Sequence, residues 1–110
     1  MEITMHWYVY LAYLFGGAFL ANVLPHLITG VTGQPFHSPF ASPPFIGLSS
    51  PSVNIAWALV NLVVAYLLLV QVSPPDLRNW SDAGICFAGF AIMAFQIPRS
   101  LARTRKRTVT

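Results

Sequence analysis

The chain has 110 residues, 55% of them hydrophobic and 8% charged, with a net charge of +3. Soluble domains carry about 25% charged residues, so this composition argues against a soluble domain. No Asp, Glu, Lys or Arg occurs between Glu2 and Asp76. Five of the six basic residues, Arg99, Arg103, Arg105, Lys106 and Arg107, lie at the C-terminal end. The expected class is an all-α membrane protein. It forms a single domain over residues 1–110, with three transmembrane helices and a Pro/Phe-rich loop between the first two.

The first apolar segment covers about residues 7–28. At 1.5 Å per residue it spans about 33 Å, enough for the hydrocarbon core. Trp7, Tyr8 and Tyr10 cluster at its start, as in an interfacial aromatic belt. A cleaved signal sequence would need a basic stretch ahead of it. The first basic residue is Arg78, so a retained helix is expected. Ala12/Gly16 and Gly17/Ala21 are small pairs at four-residue spacing, suited to close helix approach.

Asn22 and His26 share a face near the end of this helix. Pro25 removes a backbone hydrogen bond there and should kink it. Two readings of the pair stay open. Asn22 and His26 satisfy backbone groups and cap the helix near Gly30, or His26 is a ligand or titrating group in a site shared with Asn54 or Asn61.

Residues 29–50 form a long loop with Pro35-Phe36, Pro39-Phe40 and Pro44-Phe45. Such proline density forbids a regular helix, and the aromatic content is foreign to a flexible linker. An ordered loop is expected, its phenylalanines inserted in the interface or packed over helix ends. It is either a structural cap or a functional surface.

The second helix is expected over about residues 51–72. Ser50 caps it, Pro51 takes its first position, and Ser73-Pro74-Pro75 stops it. Asn54, Ala58, Asn61 and Ala65 recur at spacings of four, three and four, one packing seam in which each asparagine can hydrogen-bond across the contact.

The third helix is expected over about 82–98, capped by Ser81, with Asp82 at the positive end of its dipole. Gly84, Ala88, Ala91 and Ala94 form its close-packing stripe, opposite Phe87, Phe90 and Ile97. Pro98 should kink the helix, and residues 99–110 form a basic tail. Its five basic residues are expected to meet anionic lipid headgroups rather than nucleic acid. That places the C-terminus in the cytoplasm and the N-terminus outside.

The chemistry on offer is thin. The apolar body contains hydroxyls, asparagines and His26, but no carboxylate between Glu2 and Asp76. No catalytic residue, metal or cofactor is therefore expected. His26 and His37 alone make a poor metal set, and a haem would require the two imidazoles to face each other. Two function classes follow. One is a structural or accessory subunit, or a homo-oligomer, acting through helix packing. The other is an oligomeric channel or carrier for an uncharged or weakly charged solute, lined by Asn54 and Asn61.

The order Asn22-x-x-Pro25-His26, Pro35-Phe36, Pro39-Phe40, Pro43-Pro44 and Gly47-Leu48-Ser49-Ser50-Pro51-x-x-Asn54 resembles a group of small bacterial multi-helix membrane proteins. The resemblance covers the first two helices and the loop. It implies a bacterial cytoplasmic membrane and carries no activity with it.

Overall fold

A computed structural model describes the backbone of residues 6–109 and the side chains of residues 6–104. Arg105, Lys106 and Arg107, expected at lipid headgroups, lie outside the described side chains. The elements are α1 (Trp7–Val31), β1 (Phe36–His37), β2 (Leu48–Ser49), α2 (Pro51–Tyr66) and α3 (Trp80–Val109). A π-helical turn, Leu67–Gln71, continues α2 directly. Among the described residues, three helices are long and apolar enough to cross a membrane: Trp7–Val31, Pro51–Gln71 and Trp80–Thr104.

Helix α1 is the centre of the molecule. Both α2 and α3 pack along it and scarcely touch each other. Its small pairs explain how one helix serves two partners. Ala12, Gly16, Gly17 and Ala21 are all buried. Gly16 faces Leu68 and Leu69 at the end of the second span, while Gly17 faces the Cys86 carbonyl and the Phe90 amide of α3. Helix α1 runs through Pro25 and ends three residues beyond the expected position. Gly33, at φ 75°, supplies the left-handed residue that finishes it. Behind it the Gln34 amide donates to the Thr29 carbonyl at 2.8 Å.

Helix α2 opens as expected. The Ser50 hydroxyl accepts from the Val53 amide at 3.2 Å, and Pro51 follows at the first helical position. Helix α3 departs from expectation at its start. It begins at Trp80, and its cap is Asn79 rather than Ser81. The Asn79 carboxamide oxygen accepts from the amides of Ser81 at 2.8 Å and Asp82 at 3.2 Å. An asparagine oxygen reaches these amides from one residue outside the helix, and Ser81 is left within the first turn. Asp82 is 4% exposed, and its carboxylate accepts from the Asp76 amide at 3.0 Å, closing the short loop. Pro98 does not end α3, which continues to Val109, so the segment read as a tail is helical over most of its length.

The stripe expected to pack α3 points away from the bundle. Gly84 and Ala94 are exposed and nothing lies over Gly84. Instead Asp82, Cys86 and Gly89 turn toward α1. A β-carbon on Gly89 would overlap the Leu14 carbonyl, and one on Gly17 the Cys86 carbonyl. The two backbones thus approach through glycine on each side.

Gly89→Ala should cost about 1–3 kcal/mol of stability, the range for overpacking a tight contact, while Gly84→Ala should leave stability unchanged. Asn79→Ala should cost about 1 kcal/mol and Ser81→Ala much less. Unfolding of the four variants in detergent micelles checks both pairs.

Candidate functional site

The loop between α1 and α2 is built from hydrogen bonds, as a segment too rich in proline for a helix must be. Strands β1 and β2 pair antiparallel, Phe36 opposite Ser49 and His37 opposite Leu48. The Ser38 and Ser49 hydroxyls meet at 2.5 Å, both buried. The Ser38 carbonyl accepts from the amides of Ala41 at 3.2 Å and Phe45 at 2.9 Å. The His37 Nδ1 proton points at the carbonyls of Ile46 at 2.9 Å and Gly47 at 3.1 Å. Ser38 and Ser49 were not legible as a pair in the sequence. Their spacing of eleven acquires meaning only once the two strands pair.

Asn54 joins this loop to both helices. It is fully buried at 0% exposure. Its amide nitrogen donates to the carbonyls of Phe36, Ser49 and Ser50, each at 3.2 Å. Those three acceptors fix which end of the amide is nitrogen. The oxygen therefore faces His26 and accepts from its Nδ1 at 2.7 Å. Two turns along α2, Asn61 repeats the arrangement in simpler form. Asn22 donates to the Asn61 oxygen at 3.0 Å, and the Asn61 amide donates to the Trp57 carbonyl at 2.8 Å.

The predicted seam Asn54, Ala58, Asn61 and Ala65 is thus one buried line, each residue at most 1% exposed, facing α1. Asn22 and His26 do not cap the end of α1. They reach across to the two asparagines, and the helix end is finished by Gly33 together with the hydroxyls of Thr29 and Thr32. Thr29 donates to the Pro25 carbonyl at 2.5 Å and Thr32 to that of Ile28 at 2.8 Å. The amides of Asn54 and Asn61 are used within one protomer.

The three loop phenylalanines have separate positions. Phe36 meets His26 edge-on, with ring centroids 5.4 Å apart, and Phe40 meets Trp57 at 5.2 Å. Phe45 is 65% exposed and sits at φ 65°, an unusual backbone for a bulky residue. Beside the His26–Asn54 pair opens a cavity of about 700 Å³, bounded by α1, the loop, Trp57 of α2 and the C-terminal half of α3. His26 and His37 both line it, with Met93, Gln96 and Ile97 of α3 on the opposite side. Arg103 lines a smaller adjoining hollow with Phe45, and Arg99 is exposed. No protein-family model, curated protein or solved structure matches the chain.

The bonds define an order of importance. Asn54→Leu strands the His26 Nδ1 proton and removes the donor to three carbonyls. It should destabilise the protein by about 3 kcal/mol, as expected for several buried polar groups losing partners at once. Asn61→Leu should cost less. A double-mutant cycle between Asn22 and Asn61 should return a coupling of about 0.6–1.7 kcal/mol, the range for helix pairs in bilayers. Reversible unfolding in bicelles measures both.

Proposed function

We propose that this chain is a small structural or accessory subunit of a membrane assembly, without enzymatic activity, that packs through the outer face of α3 against a neighbouring helix. That neighbour is a second copy or another membrane protein. The supporting observation is the position of α3. Only 6% of its apolar window is buried, against 39% for α1 and 22% for the second span. On the uncovered face Gly84, Ala88, Ala91 and Ala94 follow one line, opposite the side turned to α1. Between helices in lipid, small residues matter because they admit close van der Waals contact where no hydrophobic drive exists.

In the same reading the chain sits in a bacterial cytoplasmic membrane with its C-terminus inside. Arg99, Arg103, Arg105, Lys106 and Arg107 follow the positive-inside rule and lie against anionic headgroups. The continuation of α3 to Val109 supports this, because it gathers all five basic residues at the C-terminal end of one helix.

Photo-crosslinkers at Gly84, Ala88 and Ala91 should capture protein in native membranes, whereas the same groups at Leu59 and Val63 of α2 should capture lipid. Ala88→Leu should dissociate the assembly and leave the unfolding temperature unchanged. A mass of one bare chain on gentle extraction, indifferent to Ala88→Leu, overturns the reading. A reporter fused at the C-terminus should be active in its cytoplasmic form only; activity on the outer side sinks the orientation.

A further inference from the structure

The cavity beside Asn54 has a chemical preference that follows from one amide. The nitrogen of Asn54 is committed to three backbone carbonyls, so its oxygen must accept from His26. In the neutral ring the proton is therefore on Nδ1, and Nε2 carries a lone pair. No described residue bonds to that Nε2, although the side chain is only 6% exposed and lines the cavity. His37 follows the same logic. Its Nδ1 proton is taken by the carbonyls of Ile46 and Gly47, which leaves its Nε2 as an acceptor too.

A cavity furnished with imidazole acceptors selects a ligand that brings O–H donors. Its walls decide the rest. They are mostly apolar and include the aromatic rings of Phe19, Phe36 and Trp57. At about 700 Å³ the space lies within the range of small-molecule sites, about 300–1,000 Å³. The Phe36 ring touches both imidazoles edge-on, 5.4 Å from His26 and 5.6 Å from His37. The acceptors are thus spread along one wall. Among the described residues no group of three His, Cys, Asp or Glu gathers to hold an ion.

We propose that this cavity binds a lipid-soluble phenol or quinol, with a hydroxyl donating to Nε2 of His26 and the aromatic ring lying among Phe19, Phe36 and Trp57. The oxidised, quinone form brings no donor and leaves Nε2 of His26 without a partner on that cavity wall, so the site discriminates by the presence of one O–H group. The proposal does not depend on how α3 assembles. A monomeric chain would bind equally well.

The test uses the full chain in nanodiscs, titrated calorimetrically with 4-decylphenol and with its methyl ether, with empty discs as the blank. The phenol should bind at least about tenfold more tightly than the ether, the factor that one well-placed hydrogen bond supplies. Met93→Trp and Gln96→Trp fill the cavity from α3 without touching His26 or Asn54. Either should abolish binding with an unchanged unfolding temperature, and Gln96, being exposed, tolerates the change even where Met93 does not. Equal affinity for phenol and ether overturns the proposal, as does binding that survives both tryptophans. A haem absorption band that travels with the purified chain and is lost in His26→Ala would assign Nε2 to iron and overturn it as well.

Discussion

One carboxamide holds the polar part of this molecule together. Asn54 contacts α1 through His26, the loop through Phe36 and Ser49, and its own helix through Ser50. A fully buried amide has no water to fall back on, so its bonds must all be met within the protein. Four partners from three stretches of chain meet that condition. The return path of residues 32–50 is thereby set by this side chain together with the short β1–β2 pairing. The tautomer of His26, the position of Phe36 and the shape of the adjoining cavity all follow from it.

The two contacts of α1 rest on different physics. Against α2 it offers Asn22 and His26, and the contact is made of directional bonds between enclosed amides. Against α3 it offers Gly17 and the Leu14 carbonyl, and the closest approach there is backbone to backbone. Directional bonds fix register, because a shift of one residue breaks them. Close packing of glycines fixes distance. The molecule uses the first where the cavity has to be shaped and the second where a long, mostly uncovered helix has to be held.

Much of this was legible in the sequence, and the failures have one cause. The three spans, the Ser50-Pro51 helix opening and the Asn54/Ala58/Asn61/Ala65 seam can all be read, because polar residues and prolines are rare signals on an apolar background. The α1 glycine pairs were readable for the same reason. Helix α3 has two small-residue lines, one through Cys86 and Gly89 and the other through Gly84, Ala88 and Ala91, and only the second stood out in the sequence. Lipid is as apolar as a protein core, so composition does not say which line turns inward. The Asn79 cap was hidden by the equally good Ser81 two residues later. The joint position of His26 and His37 on one cavity was hidden by the loop, whose path depends on pairings eleven or more residues apart.

Because α2 and α3 scarcely meet, the order in which the chain can be assembled is already written in its contacts. Every hydrogen bond between the first two spans and the loop lies within residues 22–61. That set of bonds is complete without α3, and on its other side α1 presents Gly17 and the Leu14 carbonyl, Gly16 being covered by Leu68 and Leu69 of the second span. Helix α3 meets that surface by close backbone contact, Gly89 against the Leu14 carbonyl and the Cys86 carbonyl against Gly17. The bonds of Asn54 and Asn61 join only α1, the loop and α2, so an opening of α3 would leave them in place.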